Sequence, residues 1–266
     1  MNISYLMYEP VPDLAELDRR MGHVAGLGYH GIELVATHPL GYATEELLAL
    51  SRRHRLPVVS LLSGWSYANE GLCLSSPDAG VRDRAVARLG EYVGHAARLG
   101  AVVVVGLMQG LRGDEPDEAV ANDRIADCLR RVAAVAVAQR VALVIEPVNH
   151  LQVGFNHTAA EAAAMADRVG SPALGYMLDT IHMNIEERSI TQTIRAHGPR
   201  VRHFHLCETN GGPFGTGNLD FGGVLAALGE VHYPHFVSVK IYRKAAWDEA
   251  ARSAAAFLKS YGVQFR

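Results

Sequence analysis

Short runs rich in β-branched residues alternate with longer Ala-, Leu- and Arg-rich segments whose apolar positions recur at helical spacing. The alternation repeats eight times along the chain. The strand-like runs are "ISYLMY" at 3–8, "GIELVA" at 31–36, "PVVSLLS" at 57–63, "AVVVVGLM" at 101–108, "VALVIEP" at 141–147, "LGYMLD" at 174–179, "VRHFHLCE" at 201–208 and "HFVSVKIY" at 235–242. Helices fill the gaps. One is expected over 78–99, with Ser76 as N-cap and Pro77 at its first position, and another over 116–139, where "PDEAVANDRIADCLRRVAAVAVAQ" keeps an apolar stripe. Eight such units in 266 residues predict an α/β fold, a (β/α)8 TIM barrel, in which chemistry gathers at the C-terminal ends of the strands. The competing architecture, a doubly wound open sheet, would carry a Gly-rich phosphate turn after its first strand, and "YEPVPD" is not one.

Composition narrows the function classes. Hydrophobic residues make up 49% of the chain, are spread evenly and are broken by no linker, so residues 1–266 are expected to form a single domain. A net charge of −3 supplies no basic field for nucleic acid, and no lysine-rich cluster borders an apolar helix. A small neutral or mildly polar partner is expected, with no nucleic acid and no membrane. The three cysteines, Cys73, Cys128 and Cys207, are odd in number and without CxxC spacing, which argues against disulfides and a structural zinc knuckle and for a reducing, cytoplasmic setting. The N-terminus shows no basic region followed by an apolar run, and no uninterrupted apolar stretch reaches the roughly 18 residues of a membrane span.

Side chains alternate along a strand, so parity separates barrel interior from exterior. Leu143, Ile145, Tyr176, Leu178, Phe204, Leu206, Val237, Val239 and Ile241 are expected to face the helices. The opposite parity sends Glu146, Asp179, His203, His205, Cys207, Ser238 and Lys240 inward, so four successive strands deliver Glu146, Asp179, His205 and Lys240 to one mouth. Two carboxylates and an imidazole form a mixed oxygen and nitrogen site suited to Mn2+, Mg2+ or Co2+, because buried carboxylates repel one another unless a cation neutralises them. The same acids at strand ends can instead cap the following helices.

"VIEPVNH" at 144–150, "MLDTIHMNIEE" at 177–187 and "HFHLCETN" at 203–210, with "GLCLSSPDAGVRDRAV" and "AARLGAVVVVGLMQG" as weaker support, resemble the sugar phosphate isomerase/epimerase superfamily. These are the xylose isomerase-like barrels that include ketose 3-epimerases and inosose-processing enzymes. The resemblance implies a divalent metal, commonly Mn2+, held by Glu146, Asp179 and His205, with His182 on the sugar hydroxyls; Gln109 and Trp65 join the expected substrate-binding set. Three departures stand out. The family's final glutamate, both ligand and acid/base, is Lys240; its substrate-contacting glutamate is Gln152; and its arginine six positions after the metal histidine is Gly211.

A lysine beside a divalent ion experiences repulsion and desolvation, which favour the neutral amine and make Lys240 a candidate base; His150, four residues after Glu146, is a second. A metal with one base in place of paired glutamates resembles the C-glycoside deglycosidases. Those enzymes remove the C2 proton of a 3-oxo-glucosyl C-glycoside and expel the aglycone, in a hetero-oligomer with a small β-sandwich subunit. The rival expectations are a ketose or inosose isomerase, epimerase or dehydratase using Lys240 as proton carrier, and a non-catalytic sugar-binding barrel, degenerate if Lys240 pairs with Asp179 or Glu146 and replaces the metal. His157, His197 and His232 are expected at the surface, and Tyr8, Trp65 and Tyr67 near the mouth.

Overall fold

In a computed structural model, which describes residues 1–38, 40–243 and 246–266, the expected barrel is present. Its strands are β1 (Asn2–Met7), β2 (Gly31–Val35), β3 (Val58–Leu62), β4 (Val102–Val105), β5 (Leu143–Ile145), β6 (Leu174–Asp179), β7 (Val201–Cys207) and β8 (Phe236–Lys240). They close in chain order into one barrel. Several strands are shorter than their apolar runs, β5 most of all, because Glu146 and Pro147 lead into the following turn. No helix among the described residues is long and apolar enough to cross a membrane.

The chain falls into two compact units, one of Met1–Leu34, Tyr42–Val59 and Leu178–Arg266, the other of Val35–Gly41 and Ser60–Met177. In the first, β1 pairs in parallel with β2 and β8, and β8 with β7. The registers Ser4↔Gly31, Ser4↔Ser238 and Ser238↔His205 set four side-chain positions on one level, and the two serines hydrogen-bond to each other at 3.0 Å. That contact confirms the inward parity of Ser238, and with it that of Lys240 two residues on.

In the second unit, β4 pairs with β3 and β5, and β5 with the body of β6. Val104, Val144 and Met177 form a buried cluster, with Leu62 and Val102 packed against it, so here too the predicted inward parity fills the core. The long helices Ala79–Leu99 and Glu118–Gln139 pack together on the outside. The first begins two residues later than Ser76 and Pro77 imply. Asp78 is its N-cap, accepting from Gly80 N at 2.7 Å, while Ser76 Oγ accepts from Asp78 N in the turn before it. The second is capped by Asp117, whose carboxylate accepts from Ala119 N and Val120 N.

Candidate active site

Asp179 ends β6 and does both things its sequence position allowed. Its Oδ1 accepts from Ile181 N at 3.0 Å and caps the helix Thr180–Glu186. Its Oδ2 is the centre of a buried polar group: Lys240 Nζ lies 2.6 Å away, His205 Nδ1 3.4 Å and His182 Nε2 3.8 Å. The histidine of "LDTIH" arrives because one helical turn separates it from Asp179. Asp179 and His205 are fully buried, and His182 and Lys240 nearly so.

Burial alone would raise the Asp179 carboxyl, but the charges of Lys240 and His182, and His205 as a hydrogen-bond partner, hold it well below the usual carboxylate range. Burial would likewise depress the His205 imidazole, yet Glu33 on one side and Asp179 on the other raise it to about 10. Thr180 ties this end together: its Oγ1 donates to Cys207 O at 2.6 Å and accepts from Cys207 N at 2.8 Å, which fixes the helix start to β7. Cys207 is a buried free thiol beside Lys240 in register.

Two acids here were not singled out by sequence. Glu33, the single carboxylate in the apolar run "GIELVA", is fully buried and bound by both His203 and His205. Glu208 is also fully buried, and its carboxylate accepts from Thr209 N, Gly215 N and Leu219 N at 2.9–3.0 Å, shaping the loop that follows β7.

Gly211, where the resembling family has arginine, has φ +70°, and a Cβ there would come within 2.5 Å of Tyr242 Cζ. Tyr242 N and Arg243 N both donate to Gly211 O, and the Tyr242 ring stacks on Tyr8 with centroids 5.0 Å apart. Lys240 Nζ lies 5.8 Å from the Tyr242 ring centre. The aromatic pair thus takes the space an arginine would need. Gly211→Ala is expected to cost about 2–3 kcal/mol, combining a left-handed backbone with a steric clash. Gly262→Ala, at φ +79° with nothing within 4 Å of its Cβ, should cost only the backbone part. Denaturant midpoints of the two variants check this, and equal losses would remove the Tyr242 contact from the explanation.

In the other unit Glu146 follows β5, nearly buried, with its backbone N bonded to Val105 O. Glycine at 106 makes room for it, since a Cβ there would come within 2.5 Å of Glu146 Oε2. Gln109 is fully buried; its Nε2 donates to Glu146 O at 2.8 Å and its Oε1 accepts from Asn156 Nδ2 at 3.0 Å, so it braces the end of β5. His150 and Gln152 are exposed in the turn after Glu146, the His150 ring 6.4 Å from that of His157. Trp65 is 39% exposed on the helix Gly64–Glu70, and Tyr67 on the same helix donates to Asp114. His157 and His197 are half-buried, His157 Nδ1 lying 2.9 Å from Val148 O, whereas His232 is exposed.

Comparison with known proteins places these observations. The family description "Xylose isomerase-like TIM barrel" matches residues 22–261. The chain is 30% identical to a D-psicose 3-epimerase of Agrobacterium fabrum over 259 residues, covering 88% of this chain and 89% of that protein. It is 29% identical to an L-ribulose 3-epimerase of Mesorhizobium japonicum, covering 88% and 78%. A solved L-ribulose 3-epimerase superposes with a TM-score of 0.87 at 26% identity, over 98% of this chain and 94% of the other.

Proposed function

Because the chain belongs to the xylose isomerase-like TIM barrel family and is an enzyme related to sugar epimerases, we propose that it epimerises or isomerises a keto sugar with a divalent ion, using Lys240 as a proton carrier. The observation that carries the reading is the geometry at Asp179 Oδ2, where a lysine ammonium at 2.6 Å and the Nδ1 of a histidine at 3.4 Å converge on one buried carboxylate oxygen. The resemblance of "VIEPVNH" to the family's first ligand motif adds Glu146 to the proposed set.

The donor chemistry fits a divalent ion. Asp179, His205 and Glu146 would hold it with oxygen and imidazole nitrogen, a set suited to Mn2+, Mg2+ or Co2+. When bound, the ion polarises the sugar carbonyl and acidifies the adjacent C–H.

The protein's own groups do the rest. His182 Nε2 hydrogen-bonds a sugar hydroxyl and orients the chain of the substrate. Lys240 would act as the base: once its ammonium has passed a proton to solvent, Nζ takes one from the carbon next to the carbonyl. Return of a proton to the opposite face of that carbon inverts the centre, and return to the neighbouring carbon isomerises the sugar. The Tyr242 ring, stacked on Tyr8, lies 5.8 Å from Lys240 Nζ and forms one wall beside it.

The relatives favour epimerisation or isomerisation over C-glycoside cleavage. The second reading, loss of an aglycone from a 3-oxo-glucosyl C-glycoside, with His150 as the base and a β-sandwich subunit as partner, draws its support from the stacked Tyr8 and Tyr242 rings, a surface on which an aromatic aglycone would lie. Product analysis separates the two. Incubation with ketopentoses, ketohexoses and a 3-oxo C-glucoside should yield epimeric sugars, lost on chelation and restored by Mn2+. Release of aglycone without epimer would establish the second reading.

A further inference from the structure

We propose that Glu33 is a positioning residue for His205, with His203 as the clamp that keeps it in place; this rests on the reading of His205 as a metal ligand. Glu33 lies on β2 and the two histidines on β7, and between these strands run β1 and β8. Ser4 and Ser238, small residues of those two strands, lie level with His205 and with Gly31, two residues before Glu33. Glu33 Oε2 then meets His205 Nε2 at 2.9 Å, and Oε1 meets His203 Nε2. The His203 and His205 rings stand edge to face, 5.2 Å apart at 85°.

An ionised carboxylate only accepts, so each Nε2 that faces Glu33 carries a hydrogen. With Nε2 held by Glu33, Nδ1 is the ring nitrogen left to face Asp179 Oδ2, at 3.4 Å, and it is the one that would meet an ion there. The carboxylate sets both the tautomer and the ring angle of the ligand, as outer partners of metal-binding histidines do. His203 holds the second oxygen and prevents Glu33 from turning away. The three donor atoms lie within 4.8 Å of one another, which is also the spacing of a metal site. Each carboxylate oxygen already faces an imidazole nitrogen at hydrogen-bonding distance, so positioning accounts for the cluster without an ion of its own.

The test uses the full-length protein with 15N-labelled histidine, wild type, Glu33→Gln and Glu33→Asp, with Mn2+ affinity measured calorimetrically and the low-field Nε2–H signals of His203 and His205 followed by NMR. A glutamine offers one acceptor and one donor, so it cannot receive both N–H groups. Glu33→Gln is expected to remain folded, to lose or shift one or both signals, and to bind Mn2+ about 10- to 100-fold more weakly. Glu33→Asp, which keeps the charge, should recover part of the affinity. Wild-type Mn2+ affinity with unchanged N–H signals in Glu33→Gln would overturn the proposal. If wild type takes up no Mn2+, the metal reading fails on its own, and dependence of the His205 Nε2–H signal on Glu33 alone then decides the positioning role.

Discussion

Lys240→Met is expected to abolish turnover while leaving the protein able to bind its divalent ion. Methionine preserves the length and most of the volume of the side chain, so β8 keeps its packing, and only the ammonium that lies 2.6 Å from Asp179 is lost. Removal of a positioned acid/base group typically lowers the rate by about 10²–10⁴-fold, and the upper part of that range is expected because Lys240 stands where the resembling family has its catalytic glutamate. Removing one partner of a buried ion pair costs about 3–5 kcal/mol, since the carboxylate stays behind. The metal-free variant should therefore melt well below wild type, and added Mn2+ should raise its midpoint more than it raises that of wild type. Steady-state rates together with melting curves at several Mn2+ concentrations check both parts. Full activity in Lys240→Met would remove the lysine from the chemistry.

Asp179→Asn should have the larger effect on the ion. The amide oxygen can still accept from Ile181 N, as Asp179 Oδ1 does, so the cap of the helix Thr180–Glu186 is retained and the fold survives. What disappears is the negative charge on which Lys240, His205 and His182 converge. Without it those groups repel a cation, and Mn2+ affinity is expected to fall by at least about 10²-fold, with turnover reduced to background. Titration with Mn2+ reads this directly. A variant that binds Mn2+ as wild type does would place the ion elsewhere.

Period-two alternation made the barrel and the inward set legible, because a strand buried on both sides still sorts its polar residues by parity. Ser238 and Lys240, His203 and His205, and Asp179 all follow that rule. The helix starts were less legible: Asp78 is the cap, accepting from Gly80 N, because Ser76 Oγ is engaged with Asp78 N in the turn before the helix. Glu33 was hidden for a different reason. A lone acid in an apolar strand announces that something must neutralise it, but its partners lie about 170 residues further on, and only the register of β2, β1, β8 and β7 brings them together. Tyr242 was likewise invisible as the reason for Gly211, because the contact depends on where the chain turns after β8. Lys244, which closes the run "SVKIYRK", lies outside the described residues.

The central claim is proton transfer at a carbon next to a sugar carbonyl, and the most direct measurement is deuterium wash-in. Wild-type protein loaded with Mn2+ would be incubated in D2O with ketopentoses and ketohexoses, and the recovered sugars examined by mass spectrometry and NMR. One deuterium at the inverted or isomerised carbon, absent after chelation and absent with Lys240→Met, is the predicted result. Sugars recovered without deuterium from every candidate, despite a bound ion, would contradict it.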